Sequence, residues 1–157
     1  MTTHIVPLAQ HPELVETVAG WLWGEWGKNM PGSTVATVAS RLRMPAQDNL
    51  PQTFVLLENG VPAATAGLVR DDLESRPDLS PWLADMFVPP AFRGRGHAVR
   101  LVRHVEQAAA AAGHATLWLN TEHAAGLYAK LGWLERGPAT HNGHFVMLMR
   151  RDLRAGL

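Results

Sequence analysis

Hydrophobic and polar positions change period several times along the chain, and each change marks an element. His4 to Ala9 is short and partly alternating, which predicts a strand, and His11-Pro12-Glu13 carries the proline of a helix's first turn. Across positions 12–26, Leu14, Val15, Val18, Ala19, Trp21, Leu22, Trp23 and Trp26 cover an arc of roughly 200° on a helical wheel, wider than one core face needs. A loop is expected from Gly27 to Thr34, and a second helix from Val35 to Met44, stopped by Pro45. After the polar stretch 45–51, Thr53-Phe-Val-Leu-Leu runs into Glu58-Asn59-Gly60 and then into 61–70, and Asn-Gly between apolar runs predicts a hairpin.

Residues 71–80 are acidic and turn-rich, and Pro81 to Val88 reads as a strand closed by Pro89-Pro90. From Gly96, the apolar positions Ala98, Leu101, Val102, Val105, Ala108, Ala109 and Ala112 keep helical spacing until Gly113 stops them. Thr116 to Leu119 reads as a buried strand, 122–131 as a short helix, and the chain closes with two strands around Asn142-Gly143, with Phe145 to Met149 expected to be interior. The predicted order is β-α-α-β-β-β-α-β-α-β-β: an α/β fold in one domain over residues 1–157, without repeats or a linker.

Composition narrows the chemistry. The absence of cysteine removes disulfides, thiol nucleophiles and iron–sulfur sites. Fourteen basic against fourteen acidic side chains leave no global field toward nucleic acid or an anionic membrane, so neither partner is expected. The first residues lack a signal-peptide pattern and no run approaches the ~18 apolar residues of a membrane span, so a cytoplasmic location is expected.

The most informative segment is Val88-Pro89-Pro90-Ala91-Phe92-Arg93-Gly94-Arg95-Gly96-His97-Ala98, between a strand and the longest helix. Gly94 and Gly96 allow close backbone approach, the amides of 94–98 point outward, and the positive helix end adds to them, which makes an anion cradle. Arg93, Arg95, Arg100 and Arg103 put four cations within eleven residues of a neutral protein, suiting a diphosphate. There is no Gly-Lys-Ser/Thr of a Walker loop, and G-x-G-x-x-G is not completed here. A solvated basic turn capping a structural helix is the plainer alternative.

Arg93-x-x-Gly96-x-Ala98 resembles the acyl-CoA-binding signature Q/R-x-x-G-x-G/A of the GCN5-related N-acetyltransferases. Ala124-Ala125-Gly126-Leu127-Tyr128-Ala129-Lys130-Leu131-Gly132-Trp133, about 30 residues on, resembles that family's A-x-x-L-Y-x-K-L-G-F/W segment. The resemblance covers about residues 3–152. Family members often carry Asn seven residues before the tyrosine, where this chain has Thr121 with Asn120 beside it.

The resemblance implies a mixed, splayed β-sheet flanked by helices and an acetyl-CoA-dependent N-acetyltransferase that moves the acetyl group directly to a primary amine, without a metal. It implies pantetheine pairing near Phe87 and Val88, a pyrophosphate on Arg93, Gly94, Arg95, Gly96, His97 and Ala98 with Arg100 in support, and Asn120 near the cofactor. Tyr128 is then the acid that protonates the departing thiolate.

For the acceptor, Asp85 and Glu25 are candidates for the base, and Trp23, Trp26, Asp71, Asp72, His141 and His144 for the binding wall. Each has a plainer reading: Asp85 and Glu25 as solvated acids, the tryptophans as core packing, the histidines as parts of a solvated turn, and Tyr128 as an aromatic packed on the sheet. The acceptor is expected to be a small-molecule or peptide amine, with monomer and homodimer both open. The rival functions are a catalytically silent acyl-CoA-binding regulatory module and a phosphate-binding regulatory domain.

Overall fold

In the computed structural model, which describes residues 1–153, the elements follow the expected order. The strands are β1 (Thr3–Pro7), β2 (Gln52–Glu58), β3 (Val61–Val69), β4 (Trp82–Phe87), β5 (Thr116–Thr121), β6 (Leu134–His141) and β7 (His144–Asp152). The helices are α1 (Val15–Glu25), α2 (Val35–Leu42), α3 (His97–Ala111) and α4 (Ala125–Lys130).

One mixed sheet has the order β1-β2-β3-β4-β5-β7-β6. β1 runs antiparallel to β2, while β4 and β5 run parallel with Trp82 opposite Trp118. β7 lies antiparallel to both β5 and β6, so the interior place expected for it holds, although its first apolar residue, Phe145, is exposed. The Asn-Gly turns have the backbone that a two-residue hairpin needs: Asn59 and Gly60 at φ 51° and 81°, Asn142 and Gly143 at 49° and 80°.

The described residues form two compact units, one of residues 1–67 and 85–102 and the other of 68–84 and 103–153. In the first, Val15, Val18, Ala19 and Leu22 of α1 bury the i, i+3, i+4, i+7 stripe with Val38 and Ala39 of α2, Leu8 and Val55. Burying a side chain such as Leu22 contributes about 1.5–3 kcal/mol, and three of that kind, Val15, Val18 and Leu22, outweigh the weak propensity of a helix containing two glycines. The predicted start of this helix is a 3-10 turn, Pro12–Leu14, before the α-helix proper. Thr34 caps α2, exchanging side-chain and backbone hydrogen bonds with Thr37. In the second unit, Leu73, Trp82, Val146 and Leu148 form the core, with the Trp82 indole N–H donating to the Leu79 carbonyl.

Among the described residues, no helix is long and apolar enough to cross a membrane and no cluster of histidine and carboxylate side chains is arranged to hold a metal.

Candidate active site

In the first unit, the backbone swings through Gly94 at φ 78° and Gly96 at φ 81° into the first turn of α3, whose leading amides have no intrahelical acceptor. Residues 93–96 are exposed. The side chains around them are organised rather than loose. Arg93 Nε donates to the Val88 carbonyl at 2.8 Å, bending the chain between β4 and the turn. Arg95 Nη1 lies 2.5 Å from Glu58 Oε2, and its guanidinium carbon stands 5.5 Å from the centre of the Phe92 ring. Arg100 Nη1 donates to the Arg95 carbonyl at 2.8 Å.

His97 has no exposed side-chain surface, and its Nε2 is 2.9 Å from Glu58 Oε1. Its part in an anion site is therefore that of a backbone amide. Its Nδ1 faces Arg100 Nη1 at 3.4 Å, and since a guanidinium only donates, Nδ1 accepts and the proton sits on Nε2. The Arg95 guanidinium, chiefly, and the His97 hydrogen bond hold the Glu58 carboxyl below its usual range, against an opposing effect of burial.

The aromatic and acidic candidates of this unit divide. Trp26 and Trp21 gather on Phe87, with ring centres at 6.5 Å and 6.1 Å, so the wide apolar arc of α1 has a second partner besides the core. Trp23 is half-buried and its indole N–H donates to the Ser33 carbonyl, tying down the loop after α1. Glu25 is exposed at the last residue of α1, where the helix releases it from the apolar arc. Asp85 sits inside β4 at φ 57°, a left-handed conformation that aspartate tolerates better than most residues, and Oδ2 accepts from Arg41 Nη1 of α2 at 3.1 Å. Nothing in the local sequence announced either the strand irregularity or the arginine.

In the second unit, Tyr128 of α4 is 7% exposed, with its ring edge-on to Trp133 at 6.0 Å. Burial pushes the phenol up to about 12. The Trp133 indole N–H donates to Glu106 Oε2 at 3.1 Å, and Glu106 also receives Arg103, so a buried polar network fixes the ring against which Tyr128 lies. Asn120 Nδ2 donates to Asp72 Oδ2 at 2.9 Å, and Asp71 is exposed beside it. His141 Nδ1 lies 3.0 Å from Glu74 Oε2, and the Asn142 amide donates to Glu74 Oε1 at 3.3 Å, joining the last hairpin to the acidic segment. His144 is exposed, 3.8 Å from Glu122.

Tyr128 is the chain's single tyrosine, which makes its state directly measurable. A near-ultraviolet alkaline difference titration should show the tyrosinate appearing about two units above the ~10 of a free phenol. The neutral form is the protonated one, so this shift stabilises the fold fully below about pH 10 and is lost as pH rises toward 12. A midpoint near 10 in the folded protein would mean that the hydroxyl is solvated.

Residues 15–133 match the sequence model of the acetyltransferase (GNAT) family. Solved structures share the fold. An N-acetyltransferase from Staphylococcus aureus Mu50 is 18% identical, with a TM-score of 0.76 over 98% of this chain and 99% of its own. An aminoglycoside 6'-N-acetyltransferase complexed with coenzyme A is 15% identical, with a TM-score of 0.75 over 96% and 97%. A mutant of a spermidine N-acetyltransferase from Vibrio cholerae is 15% identical, with a TM-score of 0.75 over 99% and 96%. No curated protein matches the chain in sequence.

Proposed function

The chain belongs to the acetyltransferase (GNAT) family, and from that premise we propose that it moves an acetyl group from acetyl-CoA directly to a primary amine on a cationic small molecule or a peptide. The observation that carries the reading is the turn at 93–98. Its two positive-φ glycines leave the backbone open, a Cβ at Gly94 would meet nothing within 4 Å, and three arginines surround it. These residues fit a diphosphate: the amides of 94–98 and the start of α3 hold it, with Arg93, Arg95 and Arg100 as cations. Phe87 and Val88 offer backbone to the pantetheine arm.

When bound, acetyl-CoA supplies a thioester whose carbonyl carbon is open to an amine. Tyr128 keeps its proton at the phenol oxygen at every working pH and offers it to the sulfur as the carbon–sulfur bond breaks. The amine reaches the chain as an ammonium and must lose a proton before it attacks. Asp85, through water, takes that proton; in the first unit Glu25 supplies negative potential and Trp23 and Trp26 offer aromatic faces to the acceptor, and in the second Asp71, Asp72, His141 and His144 are its candidate contacts. The aminoglycoside and spermidine that name two of the similar structures are amines of this class.

The deciding experiment is thiol release from acetyl-CoA against a panel of polyamines, aminoglycosides, amino acids and peptides. Turnover with at least one cationic amine is expected. Tight CoA binding without turnover on any amine would point instead to a silent binding module.

With an acceptor in hand, Asp85→Asn should lower kcat/KM about tenfold through kcat, whereas Glu25→Gln should raise the amine KM and leave kcat in place. Wild-type kinetics in both variants would remove the two carboxylates from the acceptor chemistry.

A further inference from the structure

We propose that Glu58 is a positioning residue for the anion turn: it touches no ligand, and sets the shape of residues 94–98 by holding Arg95 and His97 at once. The inference rests on the reading of that turn as the seat of the pyrophosphate.

Glu58 ends β2 immediately before the Asn59-Gly60 turn, and its side chain is 8% exposed. One oxygen accepts from Arg95 and the other from His97, the two residues that flank Gly96. A turn whose middle residue sits at φ 81° has its outer residues tied to a single carboxylate: the His97 ring faces the protein, the exposed Arg95 guanidinium is held at one place beside the turn, and the backbone between them is left for a ligand. The effect propagates one step further. With its proton fixed on Nε2 by Glu58, His97 presents Nδ1 as an acceptor to Arg100, and the same Arg100 nitrogen also reaches the Arg95 carbonyl. That carbonyl, which would otherwise oppose an anion, is thereby satisfied from within the turn.

Charge alone argues the opposite outcome, because a carboxylate beneath an anion seat repels the anion. The contacts outweigh this. The Arg95 guanidinium compensates the Glu58 charge at contact distance, and removing the acid leaves the buried His97 N–H with no acceptor of equal strength. Glutamine offers one oxygen to two donors, so its amide must face one of them. Aspartate keeps the charge but is one methylene too short to span both.

Calorimetry on the full chain with CoA, and with pantetheine, which lacks the pyrophosphate and the nucleotide, separates the possibilities. Both Glu58→Gln and Glu58→Asp should weaken CoA about tenfold and leave pantetheine unchanged. Unchanged or tighter CoA binding in the variants would overturn the proposal, as would a parallel loss for both ligands, which would reveal general damage to the fold. A role through charge alone would spare Glu58→Asp. Failure of the wild-type chain to take CoA would sink the underlying reading before any substitution is made.

Discussion

Replacing Tyr128 with phenylalanine should lower kcat about 10²-fold while the KM for acetyl-CoA moves little. The substitution keeps the ring that lies edge-on to Trp133, so the melting temperature should stay close to wild type and only the hydroxyl's contribution is read. The magnitude follows from the environment of the phenol. Burial that pushes it up to about 12 keeps the proton in place, but it also makes complete transfer to a thiolate, whose conjugate acid resembles a cysteine at ~8.5, uphill. Tyr128 therefore acts chiefly by donating a charge-assisted hydrogen bond to the developing thiolate, worth about 1.5–3 kcal/mol, or roughly ten- to a hundredfold in rate. Tyr128 keeps its own proton, and the released thiolate takes one from water. Rapid-quench measurement of the chemical step, compared with steady-state kcat, checks the assignment; an unchanged chemical step would make Tyr128 a packing residue.

Gly96→Val should weaken CoA by more than 10²-fold. A non-glycine residue at φ 81° costs about 1–2 kcal/mol before any contact is counted, and β-branching adds to it. The new Cβ would also stand 3.3 Å from Arg100 Nη1, the nitrogen that clips the Arg95 carbonyl. Gly94→Ala is the informative comparison, because φ is 78° there but no atom lies within 4 Å of the added carbon. It should carry the backbone cost alone and weaken CoA by about tenfold. Calorimetry giving equal losses at the two positions would mean that the Arg100 clip is unimportant, and wild-type affinity in Gly96→Val would place the cofactor elsewhere.

What the sequence made legible is what short-range physics controls. The two Asn-Gly turns, the stripe of α1, the spacing of α3 and the proline stops after α2 and β4 are decided by neighbours within a few positions, and each element formed where the pattern put it. The Gly94/Gly96 turn was readable for the same reason. The partners of the site residues were not. Glu58 meets residues 37 and 39 positions away, Arg41 meets Asp85 44 away, and Asp72 meets Asn120 48 away. Such pairs leave no periodic trace, so Arg95 looked like a free cation and Asp85 like an unattended acid. The signal that did exist was Glu58 itself: a carboxylate closing the apolar run Phe54-Val55-Leu56-Leu57 requires a partner if it is buried. Glu25 was legible locally: its plainer reading as a solvated acid matches its exposure at the last residue of α1.

Of the eight histidines, all within the described residues, His97 alone has a buried ring. An imidazole N–H sealed from water and held by a carboxylate exchanges slowly, so in a proton magnetic-resonance spectrum it should persist as a low-field line where the solvent-reached rings lose theirs. That line belongs to the first residue of α3 and to the underside of the Gly96 turn. It gives the molecule a built-in beacon, whose position would register the arrival of a phosphate overhead without any label.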